Sequence, residues 1–316
     1  MNKPKISIKP LLAIVTILFF FLQSCNNEPT IVQEEGLFSF AISDNGNKIV
    51  YSWVKDGCGS IYEANIDGSK PQVLLESSND MSFINPRVSW SGSKVVFIGS
   101  KRANVTSSVW EMNMDGSGLK RLTDTLRIRT EAIFSPAEDT VFFCQANDYE
   151  SYSPIGRRAA HNYDIYSLAL ANGNIEKLTN LDSYGLFYIS NLSNDQILFS
   201  STDQNEGLFI LHRFKGDSIR KIIPKNKGDR DFLSYSSPVT IDSNLIACCS
   251  YYELLLIDLK ENVETVISRS PGGQFRGIYF NKNDGRLYFN TSAKKNSIFS
   301  INMDGSDLVE IPLGII

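Results

Sequence analysis

The residues that could do chemistry are few, and their types exclude several reactions. Only two histidines occur, His161 and His212, so a histidine-rich metal site is excluded and a histidine-based catalytic triad is disfavoured. The sequence contains no Gly-x-Ser-x-Gly elbow, no Gly-x-Gly-x-x-Gly and no P-loop. The remaining candidates are a mixed set of charged and aromatic residues: Arg87, Arg129, Glu131, Tyr188 and Arg276. They could bind a charged or sugar-like ligand, or they could form ion pairs and hydrogen bonds with one another.

A further group that could do chemistry is the thiol of Cys25, which follows an apolar run near the start of the chain. Three lysines precede the run 11–22, which is apolar except for Thr16. Twelve helical residues span about 18 Å, which is too short for a bilayer core of about 30 Å. Residues 1–24 are therefore predicted to be a secretory leader rather than a membrane span.

The end of this leader resembles the lipobox of bacterial lipoproteins, with an aliphatic residue, a small residue and then cysteine: Leu22-Gln23-Ser24-Cys25. The resemblance implies that Cys25 receives a diacylglycerol and its new amine an acyl chain, which anchors the protein firmly. The next residue is asparagine rather than the aspartate that often retains such proteins in an inner membrane, so the outer membrane is favoured. Residues 25–36 are then the lipidated cysteine and a tether. A plain signal peptide with a chance cysteine is the alternative.

Four further cysteines lie in the body of the chain, at positions 58, 144, 248 and 249. An exported protein could oxidise them, but their spacing contains no Cys-x-x-Cys. Small buried hydrophobic residues are the simpler interpretation. Cys248 and Cys249 are adjacent in an apolar run, so we expect them to face opposite sides of one strand.

Beyond the tether, the sequence repeats. Three segments are nearly the same, each an alternating apolar strand that ends in Asp-Gly-Ser: 60–69, 109–118 and 297–306. The Asp-Gly pair favours a tight hairpin turn. Degenerate copies fill the interval and bring the number of units to six: 164–173, 208–217 and 253–262. Asp67 and Asp115 are 48 residues apart, so one unit is a repeat of propeller-blade length.

A polar turn that enters a β-rich strand precedes each copy, as in 43–51 and 91–97. Four strands in such a unit, repeated six times, are typical of β-propeller blades. The sequence therefore predicts an all-β, six-bladed propeller of four-stranded antiparallel blades over residues 37–316. A closed ring would bury each blade against its neighbours. The first blade and the C-terminal segment 309–315 could share a sheet.

The unit also matches a known pattern at three places: Trp90-Ser91-Gly92 with Phe134-Ser135-Pro136, the Asp-Gly segments, and Arg121-Leu122-Thr123 with Lys177-Leu178-Thr179. It resembles the WD40-like repeat of TolB-type propellers over about residues 37–312. The resemblance implies the fold. TolB carries an α/β domain before its propeller, whereas only about ten residues separate Cys25 from the first blade. That domain is therefore expected to be absent, which argues against a role in the Tol–Pal system.

The charge of the chain argues against a nucleic-acid partner. Formal net charge is −4, from 31 basic and 35 acidic residues. Removal of the leader with its three lysines would leave 28 basic residues against the same 35 acidic ones. Phosphate contacts need clustered lysine and arginine, and the sequence has no basic stripe.

One unit is about ten residues longer than the others, and the excess lies between Asn147 and Tyr163. It carries Arg157, Arg158 and His161, which are residue types suited to recognition. Long loops on rigid scaffolds often carry function. A tolerated surface insertion is the alternative.

These features predict a monomeric envelope lipoprotein, outer membrane favoured, on the periplasmic or surface face. Its propeller is expected to bind a protein or glycan partner, with neither cofactor nor metal. The alternative is a propeller enzyme, a lyase or lactonase-like hydrolase with its site at the mouth of the central channel. Alignment on the repeat places the five candidate ligand residues, with Asn85 and Ser236, on the first strands at this mouth. The missing catalytic motifs favour the non-enzymatic interpretation.

Overall fold

The computed structural model describes residues 35–43, 45–78, 80–101, 104–151, 156–202, 207–213, 218–228 and 235–315. Within these ranges the regular elements are strands, arranged as six four-stranded sheets. No helix in the described part of the chain has the length and apolar character of a membrane span. The predicted leader and Cys25 lie outside the described residues. The prediction of a six-bladed propeller with four-stranded antiparallel blades is confirmed.

The first three blades use the chain from residue 36 to residue 177. Blade 1 comprises β1 (Gly36–Ile42), β2 (Lys48–Lys55), β3 (Cys58–Asn65) and β4 (Gln72–Leu75). Blade 2 comprises β5 (Met81–Val88), β6 (Lys94–Lys101), β7 (Ser107–Asn113) and β8 (Lys120–Arg121). Blade 3 comprises β9 (Ile128–Phe134), β10 (Thr140–Glu150), β11 (Ala159–Ala169) and β12 (Ile175–Lys177).

The last three blades follow in the same order of strands. Blade 4 comprises β13 (Leu186–Ser193), β14 (Gln196–Ser201), β15 (Gly207–His212) and β16 (Ser218–Ile222). Blade 5 comprises β17 (Tyr235–Thr240), β18 (Leu245–Ser250), β19 (Glu253–Asp258) and β20 (Val263–Arg269). Blade 6 comprises β21 (Phe275–Asn281), β22 (Arg286–Thr291), β23 (Lys294–Asn302) and β24 (Val309–Pro312).

The first strand of each blade contacts the first strands of both neighbouring blades, so the six first strands line a central channel. Each first strand begins at one end of this channel, which we name the top face. Because the strands are antiparallel and paired in chain order, the top face also carries the second-to-third-strand turns and the links between blades. The opposite bottom face carries the first-to-second and third-to-fourth turns.

The core lies between blades, since each hydrophobic cluster joins two neighbouring sheets. Side chains alternate across a strand, so Phe142 of β10 packs toward blade 4 while Phe143 packs toward blade 2. Cys248 packs toward blade 4 and Cys249 toward blade 6. The prediction that these two buried cysteines face opposite sides of their strand is confirmed. All four described cysteines are buried and free.

The glycines of the three Asp-Gly-Ser turns are required by the neighbouring blade. Gly68, Gly116 and Gly305 adopt φ values of +81°, +82° and +84°, in the left-handed region that favours glycine. A Cβ atom at these positions would lie 2.3, 2.6 and 2.0 Å from a carbonyl oxygen on or next to the fourth strand of the preceding blade. In each turn the aspartate Oδ1 accepts the backbone N–H of the serine at 2.9 Å. The repeat therefore encodes blade packing as well as a turn.

Gly305→Ala is expected to destabilise the protein by about 1–3 kcal/mol more than Gly285→Ala, because overpacking is added to backbone strain. Gly285 is the matched control: it lies in the same blade at φ +70°, with open space where a Cβ would stand. The measurement is urea unfolding of both variants. Equal losses would mean that the Ile267 carbonyl beside Gly305 moves away without cost.

The ring closes differently from the sequence prediction. Residues 309–312 form β24, which pairs with β23 in blade 6 and not with blade 1. Each terminal blade already holds four strands of its own, so no shared sheet is needed. The junction is instead made by side chains: Tyr51 donates a hydrogen bond to the Gly314 carbonyl at 2.5 Å, and the buried Leu313 joins the cluster between blades 1 and 6. We name this junction the seam.

Candidate functional site

The register between the first and second strands breaks in all six blades. A β-bulge turns the backbone and re-aims its side chains. The breaks fall between Leu37 and Ser39, Ile84 and Arg87, Arg129 and Glu131, Phe187 and Ser190, Ser236 and Val239, and Phe275 and Ile278. Asn85, Tyr188 and Ser237 adopt positive φ at these bulges, from 50° to 58°. The predicted channel residues stand at or beside this ring of bulges.

Arg87 and Glu131 form an ion pair between blades 2 and 3. Nη2 of Arg87 lies 3.2 Å from Oε2 of Glu131, and the two side chains are 19% and 7% exposed. The guanidinium also lies 4.9 Å from the ring centroid of Tyr279 in blade 6, within the range of a cation–π contact. Arg87 thus touches two other blades of the ring.

The other carboxylate oxygen of Glu131 faces blade 4. Its Oε1 accepts the backbone N–H of Ile189 at 3.2 Å. Burial raises the pKa of this carboxyl above its usual range, and the positive charge of Arg87 opposes that rise. The same burial, with the adjacent Glu131 charge, raises the pKa of the Cys144 thiol.

Tyr188 completes the cluster from blade 4. Burial is the main cause that raises the pKa of its phenol to about 12, with smaller effects that include the charges of Glu131 and Arg87. The phenol therefore stays protonated at neutral pH. Three of the five predicted channel residues therefore lie near one another: Arg87 and Glu131, which form the ion pair, and Tyr188.

Arg129 belongs to a different environment. The bulge at Thr130 places Arg129 opposite Gln145 and Glu131 opposite Cys144, so the two side chains point to opposite faces of blade 3. Arg129 is only 3% exposed.

The contacts of the Arg129 guanidinium hold the link between blades 2 and 3. Its Nη1 donates to the carbonyl of Ser107 at 3.2 Å and to the carbonyl and Oδ1 of Asp124 at 2.9 and 3.2 Å. The guanidinium also stacks on Phe143 at 5.5 Å. These contacts stabilise the packing of blade 2 and the link against blade 3.

Arg276 lies in the bulge of β21 and is partly buried. Its backbone carbonyl accepts a hydrogen bond from the Ser237 hydroxyl. The backbone of Arg276 therefore forms part of the channel wall.

Short polar residues connect the bulges around the channel; Asn85 was expected there from the sequence, whereas Ser39, Ser190 and Ser237 were not. Their hydrogen bonds join neighbouring blades: Asn85 N to Ser39 Oγ (3.0 Å), Asn85 Nδ2 to the Thr130 carbonyl (2.7 Å), Ser190 Oγ to the Pro238 carbonyl (3.1 Å), and Ser237 Oγ to the Arg276 carbonyl. An Asn or Ser near the middle of four of the six first strands, β1, β5, β13 and β17, was the signal available in the sequence. This belt and the Arg87–Glu131 pair fix the blades at the channel.

The long unit forms a two-stranded ribbon that extends beyond the sheet of blade 3. β10 and β11 have 11 residues each. The last pairs, Asp148–His161, Tyr149–Ala160 and Glu150–Ala159, lie past the end of the pairing with β9. We name residues 147–150 and 159–162 the ribbon. The described part of the predicted insertion therefore extends a hairpin on the top face.

The three candidate residues of this insertion differ in accessibility. Arg157 and Arg158 are exposed, and Arg158 lies 4.7 Å from the ring centroid of Tyr149 while donating to the Tyr149 carbonyl. His161 is fully buried, with its Nε2 3.7 Å from Oε1 of Glu150. The two arginines are thus available to a partner in this structure, whereas His161 belongs to the interior of the ribbon.

Among the described residues, no three His, Cys, Asp or Glu side chains are grouped as a metal ion would require. The aspartates of the Asp-Gly-Ser turns accept hydrogen bonds from serine, which lowers the pKa of Asp67, Asp115 and Asp304. Turn geometry accounts for these carboxylates.

Comparison with known proteins shows similarity of fold. No known protein-family model matches the chain, and no curated protein matches its sequence. TolB from Acinetobacter baumannii superposes with a TM-score of 0.66 at 15% identity, over 99% of this chain and 71% of that one. The chain shares its propeller fold with TolB. The predicted fold resemblance is confirmed.

Propellers named for other activities are also similar in fold. An oligogalacturonate lyase from Vibrio parahaemolyticus has a TM-score of 0.57 at 11% identity, over 91% of this chain and 80% of that one. A gluconolactonase from Xanthomonas campestris has a TM-score of 0.56 at 14% identity, over 82% and 83%. TolB, a lyase and a lactonase share the architecture, so the fold alone does not assign an activity.

Proposed function

We propose that the protein is a lipid-anchored cell-envelope protein whose propeller is a rigid scaffold for a protein or glycan partner. The observation that carries the proposal is the ribbon of blade 3 with the adjoining Arg157 and Arg158, which lie with Tyr149 on the top face. Tyrosine and arginine are enriched among the residues that dominate binding energy. The lipobox resemblance of residues 22–25 and the likeness to TolB support the envelope location.

The stiffness of the ribbon supports a binding role. Its strands continue a sheet whose core residues are buried on both faces. The stacking of Arg158 on Tyr149 already orders two long side chains. A pre-ordered surface loses less conformational entropy on binding, so the ribbon suits recognition better than a flexible loop would.

The arginines at the end of the ribbon are expected to dominate capture of the partner. Changing Arg157 and Arg158 to alanine should lower partner capture from envelope extract about tenfold or more, since each hot-spot side chain contributes about 1–2 kcal/mol or more. The measurement is a pull-down with the soluble body, residues 27–316, read by mass spectrometry. Lys55→Ala, an exposed lysine on the top face of blade 1, is the control. Unchanged capture by the double variant would remove the ribbon from the proposal.

The lipid anchor makes a separate prediction. Cys25→Ala should leave an unprocessed precursor that takes up no radiolabelled fatty acid, because the thiol is the acceptor of the first lipid. Ser24→Ala, which keeps a small residue before the cysteine, should be processed and labelled normally. Labelling of the Cys25→Ala protein would show that another residue carries the lipid.

The enzyme alternative draws on the Arg87–Glu131–Tyr188 cluster. A buried carboxyl with a raised pKa is a feature of many acid–base sites. Here, however, Glu131 is engaged by Arg87 and by the Ile189 N–H, and Arg129 lies elsewhere. The contacts favour a structural role, so the scaffold is the function the geometry supports better.

A further inference from the structure

A tripeptide in the link between blades 2 and 3 has the form of an acceptor for glycosylation. Three segments of the chain have aspartate, then serine or threonine, then an aliphatic residue: 124–126, 139–141 and 217–219. This order is the acceptor pattern for O-linked glycosylation of exported proteins in some Gram-negative bacteria. Three residues recur by chance, so the accessibility of their side chains in the folded protein decides whether an enzyme can use them. The first residue of the third segment lies outside the described residues.

The structure separates the other two segments. Val141 is fully buried in the cluster between blades 2 and 3, and Thr140 begins β10 and is only partly exposed. An enzyme could contact all three side chains of that segment only after blade 3 had unfolded. In contrast, Asp124, Thr125 and Leu126 are all exposed. Leu126 is 77% exposed, the highest value for a large hydrophobic residue in the described chain.

The link is fastened to β7 on both sides of the tripeptide. Before it, Thr123 Oγ1 accepts the backbone N–H of Val109 at 2.9 Å. After it, the Arg127 carbonyl accepts the backbone N–H of Ser107 at 2.8 Å. The tripeptide is therefore held as a short projection with fixed ends.

An Asx turn presents Thr125 at the tip of this projection. Asp124 Oδ1 accepts the Leu126 N–H at 2.9 Å and a hydrogen bond from Nη1 of the buried Arg129 at 3.2 Å. The Leu126 N–H is the main cause that lowers the pKa of the Asp124 carboxyl. The Asp124 side chain is still 51% exposed, and within the described part of the chain neither its Oδ2 nor the Thr125 hydroxyl makes a hydrogen bond. A carboxylate oxygen, a hydroxyl and an aliphatic side chain thus remain available to an enzyme.

We propose that the hydroxyl of Thr125 is the acceptor of an O-linked glycan, attached to the folded chain after export. The Thr125 Oγ forms a bond to the anomeric carbon of a sugar that is activated as a lipid pyrophosphate. The bond between that carbon and the donor phosphate breaks, and the phosphate leaves with the electron pair. A base of the glycosyltransferase takes the hydroxyl proton. The inference rests on the export that the proposed function includes, and it is independent of the ribbon.

Blade 5 supplies a matched control. Thr265 and Val266 of β20 are exposed, Val266 at 45%, but the preceding residue is glutamate. Glu264 is only 7% exposed and accepts a hydrogen bond from the phenol of Tyr235. This segment offers a hydroxyl and an aliphatic side chain without an accessible carboxylate, so Thr265 should carry no glycan.

Mass spectrometry of the full-length protein, purified from the envelope of the bacterium that encodes it, tests the modification. Trypsin releases residues 122–127 as one peptide, which contains Thr123 and Thr125. Electron-transfer fragmentation should place the glycan on Thr125 and not on Thr123, which is 5% exposed. The peptide that contains Thr265 should have its unmodified mass. Thr125→Ala should remove the glycan, and Thr125→Ser should keep it.

A substitution beside the acceptor tests recognition separately from the hydroxyl. Leu126→Gln changes an exposed side chain, so the variant should fold and keep Thr125, yet its glycan occupancy should fall at least tenfold. Val266→Gln is the control and should leave the glycan on Thr125 unchanged. Equal occupancy in both variants would overturn the role of the tripeptide.

The outcomes separate this inference from the proposed function. A leader cleaved at Cys25 together with an unmodified 122–127 peptide would overturn the glycan and leave the envelope location intact. A glycan on Thr123 or Thr140 in place of Thr125 would overturn the assignment of the acceptor. An uncleaved leader in a cytoplasmic protein without glycan would overturn both proposals.

Discussion

Arg87→Met is expected to lower the free energy of unfolding by about 3 kcal/mol at neutral pH. The substitution keeps the length of the side chain but leaves the buried carboxylate of Glu131 without its countercharge, and breaking a buried ion pair costs about 3–5 kcal/mol. Urea unfolding at pH 7 measures the loss. The expected value is at the lower end because Arg87 keeps some exposure to water.

The pH dependence of this loss follows from Glu131. Burial already raises the pKa of its carboxyl in the folded state, and removal of Arg87 would raise it further. The folded variant then binds a proton more tightly than the unfolded chain, whose glutamate titrates near about 4.3. Stability of the variant should therefore fall as pH rises above that value. The deficit relative to the parent should shrink toward pH 4.

A double variant separates charge from packing. Arg87→Met with Glu131→Leu removes both charges, so it should recover most of the stability lost in the single variant. A single variant with a pH-independent loss, equal to that of the double variant, would mean that the arginine acts through packing on Tyr279 and not through its charge.

Leu313→Ala is expected to destabilise the protein by about 3 kcal/mol, because it empties a buried position in the only described cluster that joins blades 1 and 6. Tyr51→Phe should add about 1 kcal/mol, since the partly buried Gly314 carbonyl loses its donor. Hydrogen exchange should show protection lost first in these two blades. Leu308→Ala, at a position 44% exposed, should change stability by less than about 0.5 kcal/mol.

Loss of protection in blades 3 and 4 at the same time as in blades 1 and 6 would contradict this expectation. It would mean that the ring unfolds as one cooperative body and that the seam is no weaker than the other five interfaces. Loss confined to the blades of the seam would identify it as the first part of the ring to open.

The fold could be predicted because its determinants are local. Each Asp-Gly-Ser turn and each alternating strand is encoded within a few residues, and six repetitions leave few architectures that bury both faces of every sheet. The ring closure could not be predicted in the same way. Whether Val309–Pro312 pairs with β23 or with blade 1 depends on contacts between residues more than 200 positions apart, such as Tyr51 with Gly314.

The candidate site was predicted only in part because it depends on bulges. With regular alternation, Arg129 and Glu131 would share one side of β9. The extra residue at Thr130 separates them, and no turn residue marks that bulge in the sequence. His161 was expected on the surface and is buried for a related reason: residues 159–161 continue the pairing of β11 with 148–150 of β10.

The separate sheets at the seam have an evolutionary consequence. Every blade is one uninterrupted stretch of chain, so an in-frame duplication or deletion of one repeat in the gene would add or remove a whole sheet and split none. The ring would then need only a small change in the angle between neighbouring blades. Side chains at the similar interfaces between blades could repack to allow it. A ring whose last sheet mixes both ends of the chain lacks this freedom. Propellers closed in this way are well placed to give rise to descendants with a different number of blades.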